Sequence, residues 1–380
     1  MRKVKLSGII TMAIVTVSVL TACMSKEEKA AIEAAKAAEQ ASIEAAQAAE
    51  KAAAEAEENL KTALSNRDEA AIAEAVKTVP PEVFLNAIKK TSPIALSMAL
   101  NSSSPDTVKS YFASNANSVS DFTYDLNKEG TGIIIKEYTG SSTNLIFPQE
   151  IEDYPVVQIG RGGFYGKIGA PQVLLVVIPS GVRIINDYAF SEYPKLQNVV
   201  FPSSIVEIGS HAFDFCSSLE QLYFPVGSEL IKINEEAFSY CRSLRNTYFF
   251  NCSKLEEIGV HCFSNCKALR NLDLSYTNLK IISWGAFYYS DLRTVKLSDT
   301  LNIIMGNAFC YNNNMTEINL PSGITNIYDG AFSSCKELVN IIIPDSITAI
   351  HFDNNVFSGC GKISIATRLR LKELGYRGEF

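Results

Sequence analysis

The chain has 380 residues, with 34 Lys+Arg against 41 Asp+Glu and a formal charge of −7 at pH 7. That balance excludes the basic stripe that a nucleic-acid binder needs to neutralise phosphates, and three His leave little for a histidine metal centre. The nine Cys admit disulfides, metal or core filling, and their positions must decide.

Residues 1–22 read as an address. Arg2, Lys3 and Lys5 precede an uncharged apolar run over 6–20, and Leu20-Thr21-Ala22-Cys23 follows. A basic start, a short apolar centre and small residues at the cut are the layout of a secretory signal. The run falls short of the roughly 20 residues a membrane span requires. Leu-Thr-Ala-Cys resembles the bacterial lipobox. The resemblance implies removal of 1–22, acylation of Cys23, and stable anchoring by more than one acyl chain. An ordinary signal with a chance Cys, or an uncleaved anchor, is the alternative. With Met24 rather than Asp after Cys23, the expected place is the outer membrane or cell surface.

Residues 23–66 read as an Ala-rich helical stalk. Sixteen Ala fall in 26–64, with Glu, Lys and Gln between and no Gly or Pro. Ile32–Glu39 recurs as Ile43–Glu50, a shift of 11 residues that suits a straight or slightly right-handed rod. A spacer of about 58 Å follows from 1.5 Å per residue. A weak coiled coil and a partly disordered linker remain open. Residues 67–121 carry a 12-residue repeat marked by Pro81, Pro93 and Pro105. Apolar residues at repeat positions four, seven and eight make one helical face, and Ser92-Pro93 and Ser104-Pro105 supply caps. Four short helices are expected, near 67–79, 81–90, 93–101 and 105–113, packed into a small unit without chemistry.

From Phe164 a landmark recurs every 22 to 26 residues: Gly163-Phe164, Ala189-Phe190, Ala212-Phe213, Ala237-Phe238, Cys262-Phe263, Ala286-Phe287, Ala308-Phe309, Ala331-Phe332, Val356-Phe357. Three residues later stands Cys216, Cys241, Cys266, Cys335 or Cys360. Then comes a Leu, and a strand-like stretch often closed by Pro, as in Val199-Val200-Phe201-Pro202. Such self-similarity means a solenoid, since one copy cannot close a core alone. One parallel strand per copy gives about nine rungs.

The pattern Ala-Phe-x-x-Cys-x-x-Leu-x-x-Val-x-x-Pro resembles the treponemal, or BspA-like, leucine-rich repeats over about 122–365. The opening, from Phe122-Thr123-Tyr124 through Ile133–Tyr138 to Pro155–Gly160, looks like that family's N-terminal cap. The resemblance implies a mainly β solenoid, a parallel-sheet leucine-rich repeat, behind an all-α stalk and short-helix unit. It implies a surface protein that binds other proteins, with no catalytic residues and no cofactor to carry over. Tyr193, Ser290 and Asn312 depart from the Cys position, and rungs near 276–300 lack Pro, so these rungs are expected to bend or loosen. Within 366–380, residues 367–376 read as a capping helix with Leu369, Leu371 and Leu374 inward.

The Cys column reads as a ladder of buried free thiols, with disulfides left open by export. His211 and His261 stand two rungs, about 10 Å, apart, too far for one metal, and no metal site is expected. The outward column of the sheet is the better functional candidate. Its proposed partner-binding face is Val177, Val200, Asn198, Gln221, Tyr223, Asn246, Tyr248, Asn271, Asp273 and Lys296, because exposed aromatics favour interfaces. A structural amide ladder along the Asn and Gln residues is the rival reading. The expected function is adhesion to host or other bacterial proteins. A periplasm-facing structural or scaffold lipoprotein is the alternative.

Overall fold

The computed structural model describes residues 26–66, 69–75, 92–160 and 173–380. The leader 1–22, Cys23, the helix expected at 81–90 and the first landmark, Gly163-Phe164, lie outside the described residues. The chain divides into two units, Met1–Asn59 and Leu60–Phe380.

The described part of the first unit is helical. Helix α1 (Lys26–Asn66) has 41 residues, about 62 Å at 1.5 Å per residue. Its described side chains between Glu33 and Glu55 are exposed, Ile43 included. Glu33–Lys36 and Lys51–Glu55 pair at 3.6 and 3.9 Å. Each such exposed pair adds only a few tenths of a kcal/mol, so Ala propensity is the main local support.

In the second unit, α2 (Glu69–Ala75), α3 (Pro93–Ser102) and α4 (Pro105–Asn115) match three of the four expected helices. The Ser92 hydroxyl accepts from Ala95 N at 3.3 Å and Ser104 from Thr107 N at 3.2 Å. The Ser-Pro pairs therefore act as caps with Pro in the first turn.

A cap of strands opens the solenoid. Strand β1 (Phe122–Leu126) is antiparallel to β2 (Ile133–Tyr138), and β2 is parallel to β5 (Tyr154–Ile159). β4 (Glu150–Ile151) adds an antiparallel pair to β5. Each later rung then gives two short parallel strands. The two-residue strands β7 (Ile184–Ile185), β9 (Glu207–Ile208), β11 (Lys232–Ile233) and β13 (Glu257–Ile258) continue the ladder from β5. β15 (Ile281–Ile282), β17 (Ile303–Ile304), β19 (Asn326–Ile327) and β21 (His351–Phe352) form the next. The three-residue strands are β3 (Asn144–Ile146), β6 (Leu175–Val177), β8 (Asn198–Val200), β10 (Gln221–Tyr223), β12 (Asn246–Tyr248), β14 (Asn271–Asp273), β16 (Thr294–Lys296), β18 (Glu317–Asn319) and β20 (Asn340–Ile342).

Between the two strands of a rung runs the landmark turn, which makes a third ladder. Tyr188, Phe190 and Glu192 N–H groups donate to Ser210, Ala212 and Asp214 carbonyls of the next rung, and His211, Phe213 and Phe215 repeat the scheme with Glu235, Ala237 and Ser239. Alternate donation needs left-handed residues two before and two after the Phe: His211 and Phe215 have φ of 56° and 57°. Left-handed backbone costs a non-glycine residue about 1 kcal/mol, which the added ladder bonds offset. The landmark rings stack in one column, with Phe213, Phe238 and Phe263 centroids 5.2 and 5.3 Å apart and nearly parallel. The column runs to Phe357.

The Cys column has a specific task. Cys216, Cys241, Cys266, Cys335 and Cys360 donate through sulfur to the landmark carbonyl of the preceding rung, at 3.0–3.3 Å. Ser290 and Asn312 do the same to Phe263 and Phe287. The loosening expected at those two positions is not found, because hydroxyl and amide replace the S–H donor. All eight described Cys are buried and free. The rung without Pro keeps register too: β14 pairs with β16 over Asn271↔Thr294 to Asp273↔Lys296. The ladder is instead interrupted on either side of that pair, between β12 and β14 and between β16 and β18.

The C-terminal end is closed by α5 (Ile365–Glu373). Leu371, Leu374 and Tyr376 are buried. Leu369 is exposed instead of inward, because the covering edge of this short helix carries only Leu371 and its C-terminal neighbours. Gly375, at φ +115°, turns the chain so that the Tyr376 ring meets Phe357 at 5.2 Å.

Candidate binding face

Each three-residue strand buries its middle residue, from Val176 to Ile341, and turns its first and third outward. The outward residues pair in register down the ladder, Leu175↔Asn198, Val177↔Val200 and Tyr223↔Tyr248. The outward column therefore keeps the register read from the sequence, but its exposure changes along its length.

Val177, Val200 and Tyr223 are buried, at 0, 1 and 3% exposure. They do not belong to an open contact surface, which corrects that part of the expectation. Val200 is covered by the short helices, and Tyr223 is flanked by the Tyr248 and Phe250 rings. Val200 lines a residual space of about 20 Å³ with Leu100, Asn101, Val108 and Phe112 of α3 and α4. Polar contacts fix this docking. Asn101 Oδ1 accepts from Ser203 N at 2.8 Å, and Ser97 Oγ donates to Phe201 O at 3.2 Å. The expected small helical unit thus packs on the sheet as well as on itself. Asn198 and Gln221 are half-buried. Gln221 Oε1 is buried without a partner among the described residues, so no continuous amide ladder runs through it.

The remainder of the predicted face comes together. Asn246, Tyr248, Asn271, Asp273 and Lys296 line a cleft of about 440 Å³. It lies where the strand ladder is interrupted between β12 and β14. Phe250 and Tyr276 complete its walls and are 44 and 57% exposed. Tyr248 packs edge-on against both Tyr223 and Phe250, at 6.2 and 6.0 Å. The apolar wall is therefore held from behind by a buried ring.

A charge pair forms the opposite wall. Lys296 Nζ lies 3.1 Å from Asp273 Oδ2, and the Ser275 hydroxyl and N–H both donate to Asp273 Oδ1. Partial burial alone would raise the Asp273 pKa, but the hydrogen bonds from Ser275 and Lys296 outweigh it and hold it below the usual value. The Asp273 contact raises that of Lys296. Past the cleft the face stays open and mixed: Glu317, Asn319, Asn340 and Ile342 are exposed.

Phe250 and Tyr276 were not in the sequence-based face. The available signal was the Pro column. Phe250 stands where Pro202 and Pro225 stand in earlier rungs, and Ser275-Tyr276 where Pro would follow β14. An aromatic in place of a strand-closing Pro marks a side chain set out at the rim.

A family model described as BspA type leucine rich repeat region matches in six copies, over residues 157–252 and 232–364. The solved structure of a T. pallidum leucine-rich repeat protein is similar at 26% identity, covering 70% of this chain and 99% of that one, with a TM-score of 0.41. A leucine-rich cell surface protein from Faecalibacterium prausnitzii A2-165 is similar at 20% identity over 70% of this chain and 99% of that one, with a TM-score of 0.31. The pneumococcal vaccine antigen PcpA is similar at 16% identity over 65 and 86%, with a TM-score of 0.29. No curated protein sequence matches.

Proposed function

Because the chain belongs to the BspA-type leucine-rich repeat family, we propose that it is an exported bacterial surface protein that binds another protein through the open part of its sheet. Lipid attachment at Cys23 and adhesion to host or bacterial surface proteins are parts of the same reading. The observation that carries it is the cleft of about 440 Å³ at the break in the strand ladder. It combines exposed aromatics, which supply apolar contact area at low entropic cost, with one oriented charge pair for register. A protein surface suits this mixture better than a small molecule does, because the cleft opens onto a continuing row of exposed outward residues. Among the described residues no helix is long and apolar enough to cross a membrane.

Two measurements test it. Protease shaving of intact cells should remove the solenoid; protection would favour the periplasm-facing scaffold instead. Full-length protein should be retained by surface-protein extracts of host or bacterial cells, and Tyr248→Ala with Tyr276→Ala should reduce retention at least tenfold with an unchanged circular dichroism spectrum. Equal retention by the variant would remove the cleft from the reading.

A further inference from the structure

Away from the cleft, three side chains of the landmark turns meet at one point, and one of them breaks a column of the repeat. The residue after the landmark Phe is Ser191, Ser239, Ser264, Ser333 or Ser358 in most rungs, but Asp214 in one. His211 lies three residues before it, and Glu236 fills the column of His211 one rung later. His211 Nδ1 is 3.3 Å from Asp214 Oδ2 and 3.7 Å from Glu236 Oε2. One ligand atom from each of the three lies within 4.8 Å of the others.

We propose that His211, Asp214 and Glu236 bind one divalent transition-metal ion of the Zn(II) class, with a fourth position open to water. The spacing is the first support. Bonds of 2.0–2.1 Å in a tetrahedron put ligand atoms about 3.3–3.4 Å apart. The His–Asp edge has that length already. The His–Glu edge is a few tenths longer, and Glu236 retains side-chain exposure of 32% with which to move. The second support is independent of the spacing. Asp214 is 7% exposed, and its Oδ1 is buried without a hydrogen-bond partner among the described residues. The ion pairs of Asp214 and Glu236 among the described residues are with His211 alone. A buried carboxylate with one oxygen unpartnered and a single imidazole beside the other is short of positive partners, and a dication would supply one.

The scaffold holds two ligands in place beforehand. The His211 ring stacks on Tyr188 at 4.7 Å and 6°, and Asp214 is fixed by burial. One imidazole with two carboxylates suits Zn(II) better than Ca(II) or Mg(II), which take six or more oxygens. Asp214 and Glu236 sit on successive rungs, so the ion would join those rungs. Sequence spacing misses this set because its third member arrives from the next copy of the repeat.

The test uses tag-free, full-length protein stripped with a chelator. Zn(II) is titrated by calorimetry and Co(II) by visible absorption. The expected result is one tight Zn(II) per chain. Glu236→Gln and His211→Ala should each weaken it at least tenfold, and His261→Ala, in the same column one rung further on, should leave it unchanged. Co(II) should show ligand-field bands of a nitrogen–oxygen site. Glu236→Gln alters a half-buried carboxylate and keeps its shape, so its fold is checked by an unchanged melting curve without metal. Absence of a tight site, equal affinity in Glu236→Gln, or a thiolate-to-cobalt charge-transfer band would each overturn the proposal.

Discussion

Tyr223 and Tyr248 are neighbours in one outward column, yet the structure assigns them opposite parts. Tyr223 is 3% exposed, with Tyr248 and Phe250 edge-on at 6.2 and 6.5 Å. Truncating a buried aromatic costs about 3–5 kcal/mol through lost transfer energy and the cavity left behind. Tyr248 is half-buried and faces the cleft, so its truncation should cost about 1 kcal/mol. The assay is urea unfolding of full-length Tyr223→Ala and Tyr248→Ala, followed by circular dichroism. With a urea slope near 3 kcal/mol/M or above for a unit of this size, Tyr223→Ala should lower the midpoint by about 1 M and Tyr248→Ala by about a third of that. Rung stability depends on nearest neighbours, so hydrogen exchange should show the Tyr223→Ala loss concentrated around β8, β10 and β12. The partner assay should run the other way, with Tyr248→Ala losing binding while folded. Equal midpoint shifts, or a Tyr223→Ala loss under 1 kcal/mol, would refute the division of the face into a covered and an open part.

Three further outcomes follow from the same geometry. Burial pushes the Cys252 thiol up to about 12 and raises Cys241 and Cys262 as well. At pH 8 a thiol with a pKa near 12 is about 10⁻⁴ thiolate, so mass spectrometry should find the seven described Cys other than Cys360 unmodified by iodoacetamide until denaturant is added; fast native labelling of these seven would contradict the buried column. Asn312 donates to Phe287 O and accepts from Leu292 N at 2.8 Å, so Asn312→Leu should cost about 2–3 kcal/mol by leaving buried backbone groups unpaired, while Cys241→Ser should cost under about 1 kcal/mol because Ser290 already does that work; similar losses in urea unfolding would count against the donor column. Asp273 has a lowered folded pKa, so its contribution is present above its unfolded value, near 3.9, and is lost as pH falls through the folded one; Asp273→Asn should flatten the drop in melting temperature between pH 5 and pH 3, and parallel curves would argue against it.

The period of the solenoid was legible because each rung repeats the same buried residues. Phe at the landmark, Leu six later and Ile before it must recur for neighbours to stack. The strand starts were legible for the same reason: Asn198, Gln221 and Asn246 are where β8, β10 and β12 begin. Ser92-Pro93 and Ser104-Pro105 also worked as local signals, since a cap involves only adjacent residues. What local pattern does not carry is contact between distant segments. Nothing near Val200 announces that Leu100 and Phe112 lie over it, a hundred residues back in the chain. The Cys column shows a milder limit. Its composition suggested small buried thiols, but its hydrogen bond goes to a carbonyl about 26 residues earlier. That is why Ser290 and Asn312 looked like defects and are substitutes.

The outward column itself records where the cover ends. Its third positions read Val177, Val200 and Tyr223, and then Tyr248, Asp273, Lys296 and Asn319. Over this stretch the apolar members are the buried ones and the polar members begin where exposure begins, while at the far end Ile342 is apolar and exposed. A sheet face exposed over its whole length has no reason to change polarity after Tyr223. A face half-covered by helices must do so, because apolar residues gain from burial while charges lose hydration. Tyr248 sits at that boundary with one side of its ring against buried Tyr223 and the other toward the cleft. An amphipathic ring is suited to such a place. The same step that makes the N-terminal rungs stable therefore produces a rimmed edge beside open sheet. There a partner can add its own apolar group against rings already fixed in position, with less of the ordering cost that a mobile surface would impose.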